Sequence, residues 1–204
     1  MRTDPDLEPT QTTSRTAPVG RLRQALDMPW AAGYELRRYL AYPAIRMLFA
    51  LHGIRWGRGW HVWGMPMIQR YRGSRIEIGE GVYLRSWRAT NPLVPYHPVV
   101  LATRSSAARI ILGKGVGLTG TTLVAAEWIE IGDRVQIGAN STLMDTDFHP
   151  LEAAERQVDF LAGRHAPIIV EEDVFIGMGC LVLKGVRIGA GSVIGAGSVV
   201  VSNI

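Results

Sequence analysis

The stretch VFIGMGCLVLKGVRIGAGSVIGAGSVV, residues 174–200, places an aliphatic residue at every sixth position. Together with the residues just before it, it forms six consecutive registers: Val170, Ile176, Val182, Ile188, Ile194 and Val200. Neither the 3.6-residue period of an α-helix nor the two-residue alternation of an ordinary strand produces this spacing. The period is typical of a parallel β-helix, in which a short strand forms each flat side and a turn forms each corner.

Shorter runs with the same period lie upstream and extend the predicted β-helix domain over residues 54–204. Their aliphatic positions are Ile78 and Leu84, then Leu112, Leu118 and Val124, then Ile131, Ile137 and Leu143. Glycine often follows the aliphatic residue and permits the turn at a corner. A small or β-branched residue comes four positions after it, as at Thr122, Ser141 and Cys180, so we expect Cys180 to be a small buried side chain.

Composition favours a single folded domain in a reducing compartment. The chain has 204 residues, of which 47% are hydrophobic, and its one cysteine excludes an internal disulfide. No apolar run follows the first arginine, so no signal peptide is visible and we expect a cytoplasmic protein.

Charge is uneven along the chain, and the N-terminal part is the basic one. Residues 1–75 hold twelve Arg and five acids, whereas residues 76–204 hold ten Lys or Arg and thirteen acids. Such asymmetry suggests an anionic partner, but no nucleic-acid-binding motif is present and we expect no nucleic-acid partner.

Two N-terminal segments precede the repeats. Residues 1–19 are rich in Pro, Thr and acids and are predicted to form a disordered tail. Residues 20–53 have helical spacing, with Pro43 expected to kink or divide the helix. The apolar part is too short for a bilayer span of about 20 residues. Residues 20–53 therefore either cap the open end of the β-helix or lie on a membrane surface.

The repeat is interrupted twice, at about residues 89–109 and 144–169. Long loops in a compact domain are usually functional. A prism filled with aliphatic side chains leaves no room for chemistry inside, so reactive groups must lie outside it, on such loops or at contacts between copies of the chain. The first interruption contains His97 and the second contains His149 and His165; we expect His97 and His165 to contact substrate.

His149 is the candidate catalytic residue. An imidazole with a pKa near 6.5 can accept a hydroxyl proton at neutral pH, and Pro150 restricts His149 to extended backbone that presents its ring. Asp145 and Asp147 are close enough in sequence to orient that ring as catalytic partners, although they are equally suited to capping a turn.

The segments IGDRVQIGANSTL (131–143), 174–200 and DTDFHP (145–150) resemble the hexapeptide-repeat acyltransferases, and most of all the O-acetyltransferases of sugars and exopolysaccharides. The resemblance implies an all-β, left-handed parallel β-helix that assembles as a homotrimer. It also implies an acetyl-CoA-dependent O-acetyltransferase without a metal, acting on a sugar or glycolipid hydroxyl.

The same resemblance assigns roles to individual residues. The matching His-Pro pair makes His149 the general base. Aligned turns make Gly177, Met178, Ala196 and Gly197 contacts of the coenzyme, where small residues allow close approach.

Two other functions fit the repeats. A metal enzyme like the γ-class carbonic anhydrases would need histidines a few residues apart, whereas the five histidines here are widely separated. A trimeric scaffold without enzymatic activity would need only the prism and its basic N-terminus.

Overall fold

The computed structural model of the chain describes residues 27–204. The predicted tail, residues 1–19, and the first part of the predicted helical segment lie outside the described residues. The remainder is a coiled array of short strands preceded by one long helix.

Among residues 27–204, seventeen short strands form three parallel sheets, one on each side of a prism. Sheet A contains β1 (His61–Trp63), β4 (Tyr83–Arg85), β7 (Gly117–Thr119), β10 (Gln136–Ile137), β13 (Phe175–Ile176) and β16 (Val193–Ile194). Sheet B contains β2 (Met67–Gln69), β5 (Val100–Thr103), β8 (Thr122–Ala125), β11 (Thr142–Met144), β14 (Leu181–Val182) and β17 (Val199–Val200). Sheet C contains β3 (Arg75–Ile78), β6 (Arg109–Leu112), β9 (Trp128–Ile131), β12 (Ile168–Val170) and β15 (Arg187–Ile188). Each strand pairs with the strand three places further along the chain, so three strands complete one coil.

The predicted inward positions stack in register through the prism. In sheet A the aligned residues are Val62, Leu84, Leu118, Ile137, Ile176 and Ile194, all of them buried. Repetition of one aliphatic residue per side therefore fills a continuous core. The expected left-handed parallel β-helix with an N-terminal helix is confirmed, and Cys180 is buried in it as expected.

One coil departs from the six-residue period. Leu123, not Val124, aligns with Leu143 and is fully buried, and Thr121, not Thr122, occupies the small buried position before it. The positions predicted there, Val124 and Thr122, are wrong by one residue. The step from Leu118 to the next inward residue, Leu123, is five positions instead of six.

The first predicted interruption is shorter than residues 89–109. A 3₁₀ turn covers Arg88–Thr90, and the chain then runs without regular structure only until β5 begins at Val100. Strands β5 and β6 fall partly or wholly inside the predicted loop, because their paired positions in sheets B and C continue the coils despite a sequence that lacks the six-residue period.

Helix α1 (Pro29–Leu51) begins with Pro29 in its first turn and runs through Pro43 without being divided. Its inner face buries Ile45 and Phe49, and the Phe49 ring packs edge-on against Trp60 with 5.2 Å between centroids. No helix among residues 27–204 is both long and apolar enough to cross a bilayer.

The second interruption leaves sheet B after β11 and returns at β12. It contains one short helix, α2 (Ala153–Val158), and closes at its base through an isolated antiparallel bridge between Thr146 and His165. This excursion, residues 145–167, carries His149, the residue predicted to be catalytic, and is called the catalytic loop below because of that prediction.

Candidate active site

Asp145 fastens the base of the catalytic loop to the preceding coil. Its side chain is fully buried, and its two carboxylate oxygens accept hydrogen bonds from the backbone N–H groups of Ala126, Glu127 and Trp128 at 2.6, 2.8 and 2.7 Å. Burial raises the pKa of Asp145, and the three N–H donors oppose that rise. Both oxygens are occupied, so the predicted role of Asp145 in orienting His149 is wrong and its role is structural.

Asp147 also points away from His149. Its Oδ1 accepts a hydrogen bond from Lys184 Nζ at 2.7 Å, and its backbone N–H donates to the Arg164 carbonyl at 2.9 Å. Within one chain Asp147 therefore ties the loop to the coil that carries Lys184, and the second predicted partner of the imidazole is not one.

The group that orients His149 is a backbone carbonyl. The imidazole Nδ1 lies 2.6 Å from the Phe160 carbonyl oxygen, and the His149 and Phe160 rings are in contact, with centroids 3.8 Å apart and planes tilted by 31°. A carbonyl oxygen can only accept, so Nδ1 carries the proton of the neutral ring and Nε2 is left as the acceptor. This is the tautomer that a general base requires.

Gly163 is a positioning residue that the sequence analysis missed. A Cβ atom at Gly163 would lie 2.4 Å from the Phe148 carbonyl carbon and 2.6 Å from the His149 nitrogen. The returning arm of the loop can approach the histidine only because residue 163 has no side chain. A single glycine in a stretch without a repeat gives no signal of this contact.

His165 lies at the foot of the catalytic loop, apart from His149. Its Nδ1 is 2.8 Å from Glu127 Oε2, and it lines a cavity of about 430 Å³ between the loop and the coil below. Arg104 and Phe148 line the same cavity. His165 therefore faces a space that a small polar ligand can enter.

His97 belongs to a different loop, which crosses the corner between sheets A and B. Its Nδ1 contacts the Pro98 carbonyl at 2.8 Å, and the neighbouring Tyr96 N–H donates to Asn140 Oδ1 at 3.0 Å. The structure thus separates His97 from the loop that carries His149 and His165.

Three of the four predicted coenzyme contacts line one groove along the edge of sheet A. Gly177, Met178 and Ala196 border a groove of about 410 Å³, and Gly197 lies next to it, donating its N–H to the Met178 carbonyl at 2.8 Å. Phe175 supplies an exposed aromatic ring on the same groove.

The floor of this groove is a column of glycines, one for each coil. A Cβ at Gly138 would lie 2.5 Å from the Met178 nitrogen, and a Cβ at Gly177 would lie 2.5 Å from the Ala196 nitrogen. Gly195 continues the column. These glycines therefore let neighbouring coils stack closely and add no side chain to the groove, and no residue of the catalytic loop is among the residues that line it.

Among residues 27–204, no group of three or more His, Cys, Asp or Glu side chains is arranged to hold a metal ion. His149, His165 and His97 each bond to a different group instead.

Residues 167–202 match the family model described as bacterial transferase hexapeptide (six repeats). The galactoside O-acetyltransferase of Lactococcus lactis is 43% identical over 83 residues, which cover 41% of this chain and 39% of that protein. A 2,3,4,5-tetrahydropyridine-2,6-dicarboxylate N-acetyltransferase of Clostridium perfringens is 55% identical over 38 residues, 19% of this chain and 16% of that protein. The matched part thus spans well under half the length of either relative.

One solved structure that aligns over most of the chain is a hexapeptide-repeat-containing acetyltransferase of Vibrio cholerae complexed with acetyl coenzyme A. It is 23% identical, with a TM-score of 0.49, and the alignment covers 92% of this chain and 82% of that chain.

Proposed function

We propose that this protein, whose C-terminal coils are bacterial transferase hexapeptide repeats, is an acetyl-CoA-dependent O-acetyltransferase. Its acceptor is a hydroxyl of a sugar or glycolipid used in cell-envelope or exopolysaccharide synthesis, and the reaction takes place at the cytoplasmic face of the membrane. The galactoside O-acetyltransferase relative, which is 43% identical over 83 residues, supports the sugar acceptor.

The observation that carries this proposal is the tautomer of His149. Because Nδ1–H donates to the Phe160 carbonyl, the lone pair of Nε2 is available to a hydroxyl proton. Bound acetyl-CoA supplies an activated acyl carbonyl. His149 takes the acceptor proton as the new C–O bond forms, and it returns that proton to the sulfur as the C–S bond breaks, so that charge and atoms balance.

The glycine column fits the donor. The pantetheine arm of acetyl-CoA is long and thin, and it needs a groove that side chains do not obstruct. Gly138, Gly177 and Gly195 add no side chain to the groove, and Met178 and Phe175 add apolar surface. We assign the donor to this groove, with Gly177, Met178, Ala196 and Gly197 as its contacts.

A site built from both His149 and the groove needs more than one copy of the chain. The catalytic loop leaves sheet B, whereas the groove follows the edge of sheet A and has no lining residue from the loop. We infer a homotrimer in which the loop of one subunit reaches the groove of its neighbour, since a closed ring satisfies every interface equally.

The outer face of α1 fits a membrane surface. Leu36, Leu40, Met47 and Leu51 recur at helical spacing and are 62% to 78% exposed, and Arg46 lies at the border of this stripe. Such a stripe would hold the enzyme at the lipid surface where a glycolipid acceptor resides. Cosedimentation with vesicles containing anionic lipid tests this contact, and a Leu40→Glu variant that still cosediments would contradict it.

The experiment for the activity follows the release of free CoA thiol from acetyl-CoA with a methyl glycoside as acceptor. His149→Ala should lower turnover by at least about 100-fold, because a positioned base contributes roughly 10²- to 10⁴-fold. The melting temperature should stay unchanged, because the ring is on the loop and outside the core. His52→Ala, on the turn after α1, is the matched control and should keep full activity.

A mixing experiment tests the shared site. His149→Ala chains and Ala196→Arg chains should each be inactive, since an arginine at the exposed position 196 blocks the groove without entering the coil stack. Refolded together, they should regain activity, because some interfaces then combine an intact loop with an intact groove. No recovery in verified mixed trimers would mean that base and groove belong to the same chain.

A further inference from the structure

A cluster of aromatic and charged side chains lies where α1 crosses the first coils, outside the site described above. The rings of His61 and Tyr83 stack with centroids 4.7 Å apart and an interplanar angle of 4°, and Trp63 lies within 6.2 Å of Tyr83. Arg38 and Arg85 both place a guanidinium 5.0 Å from the Trp63 ring centre. The two arginines nevertheless differ in their hydrogen-bond partners.

Arg38 is buried, and its positive charge is balanced by a carboxylate. It forms an ion pair with Glu35, which also accepts a hydrogen bond from Trp63 Nε1 at 3.0 Å. It lies 2.8 Å from His61 Nδ1, and because a guanidinium only donates, His61 accepts there and keeps its proton on Nε2. Burial and the charge of Arg38 lower the pKa of His61, so the ring is neutral.

Arg85 has no such partner. Among residues 27–204 its guanidinium makes no ion pair and no side-chain hydrogen bond, although it is only partly exposed and lies against Trp63 and Tyr83. Burial lowers the pKa of Arg85, which records the cost of keeping this charge out of water. A half-buried guanidinium held on aromatic rings has its fork of N–H donors ready for an anion.

The position of Arg85 connects it to the groove. Arg85 pairs directly with Thr119 in the next coil, and Thr119 lines the same groove as Gly138, Gly177 and Gly195. Neighbouring coils are about 4.8 Å apart, so Arg85 lies one coil beyond the groove's N-terminal end. An acceptor that meets the donor at that end of the groove would lie beside the guanidinium.

We propose that Arg85, on the platform formed by Trp63 and Tyr83, binds an anionic group of the acceptor, so that the preferred acceptor is an acidic sugar. The group is a carboxylate or a phosphate on the sugar, since both match the bidentate geometry of a guanidinium. This inference rests on the proposed O-acetyltransferase function and names the class of its acceptor.

The test compares charged and neutral acceptors in matched pairs, using the full chain. Methyl glucuronide against methyl glucoside probes a carboxylate, and glucose 6-phosphate against glucose probes a phosphate. Wild type should favour the charged member of at least one pair in kcat/KM by about tenfold or more, and Arg85→Gln should abolish that preference with little effect on the neutral acceptor. Arg109→Gln, an exposed arginine on sheet C, is the matched control and should leave the preference intact.

Two results would overturn the proposal. One is an equal preference for the charged acceptor in wild type and Arg85→Gln. The other is dissociation of the Arg85→Gln oligomer in light scattering, which would mean that the guanidinium pairs with a carboxylate of a neighbouring subunit.

Calorimetric titration with the same sugars, without acetyl-CoA, separates this inference from the activity. Binding of methyl glucuronide or glucose 6-phosphate that depends on Arg85, without any thiol release, would support the subsite and contradict the transferase. Thiol release with neutral glycosides alone, with no Arg85-dependent binding, would do the reverse.

Discussion

The regular coils at residues 168–204 and the catalytic loop at residues 145–167 are adjacent in sequence but are held together in different ways. Each side of a coil contributes one buried aliphatic residue and pairs with the side above and below it. The loop has few buried side chains and is fixed by single contacts, chiefly the carboxylate of Asp145, the Thr146–His165 bridge and the space left by Gly163. Mutations in the coils should therefore change stability, and mutations in the loop should change turnover.

The largest effect is expected in the core. Ile176 is fully buried between aligned neighbours, so Ile176→Ala should destabilise the protein by roughly 2–5 kcal/mol through lost burial and a cavity. Val158→Ala, on the exposed face of α2 in the loop, should have almost no effect. Denaturant unfolding at a fixed protein concentration measures both. Equal losses would remove the distinction between the two regions.

Asp145 lies at the boundary between the two regions, and replacing it should cause the next largest loss of unfolding free energy. Asp145→Ala leaves three backbone N–H groups without acceptors and should cost about 2–4 kcal/mol. Asp145→Asn should recover only part of this, because its NH₂ group would face N–H donors. Asp159→Ala, an exposed aspartate of the same loop, serves as the control. Full activity and stability in Asp145→Ala would show that the loop has another anchor.

Gly163→Ala tests whether a substitution in the loop changes turnover without changing stability. The added methyl group overlaps the backbone at Phe148 and His149, so the imidazole must shift. Misplacement of a catalytic group by about 1 Å can cost on the order of 100-fold, and we expect turnover to fall roughly 10- to 100-fold with the melting temperature nearly unchanged. Gly33→Ala, where a methyl group meets nothing within 4 Å, should retain wild-type turnover. A fully active Gly163→Ala enzyme would show that the arm is not needed to place the histidine.

The smallest effect is expected at the outer surface of the coils. The Arg134 side chain holds the pKa of Asp173 below its ordinary value through two hydrogen bonds of 2.6 Å. A lowered folded-state pKa means that the stabilisation is complete above the unfolded value of about 3.9 and is lost as the pH falls through the folded value. Asp173→Asn should therefore shift the unfolding midpoint slightly at pH 7 and not at all in stronger acid. A difference from wild type that grows as the pH falls would contradict this assignment.

The sequence predicted the coils well because the six-residue spacing within a short stretch is enough to assign each aliphatic residue to the core. Ile176 or Ile188 needs only its neighbours at six-residue spacing to be assigned to the core. The prediction was wrong at Val124, because a side of five residues moves the inward position to Leu123. It also missed β5 and β6, whose residues are positioned by pairing with strands of other coils. Register errors of one residue reverse the facing of a whole strand.

The candidate site was only partly predictable. The sequence predicted the loop and, as a residue whose role stays a prediction, His149; of the four residues named through the resemblance, Gly177, Met178 and Ala196 line one groove. It assigned Asp145 and Asp147 to the wrong partner, because proximity along the chain does not say where a carboxylate points. It gave no signal for the Phe160 carbonyl, or for the Arg85 guanidinium, which makes no ion pair with any residue in the described part of the chain.

The sequence by itself determined the architecture, since a period of six with glycine at the corners can fill a narrow prism and little else. The tertiary structure alone decided which ring nitrogen of His149 is the acceptor, what the buried carboxylate of Asp145 binds, and that Arg85 has no ion-pair partner among residues 27–204. The physical reason is range. The residues that pack the core recur every few positions, so a short stretch of sequence identifies them. The contacts of His149, Asp145 and Arg85 instead join groups that meet only after the loop has returned and the coils have stacked.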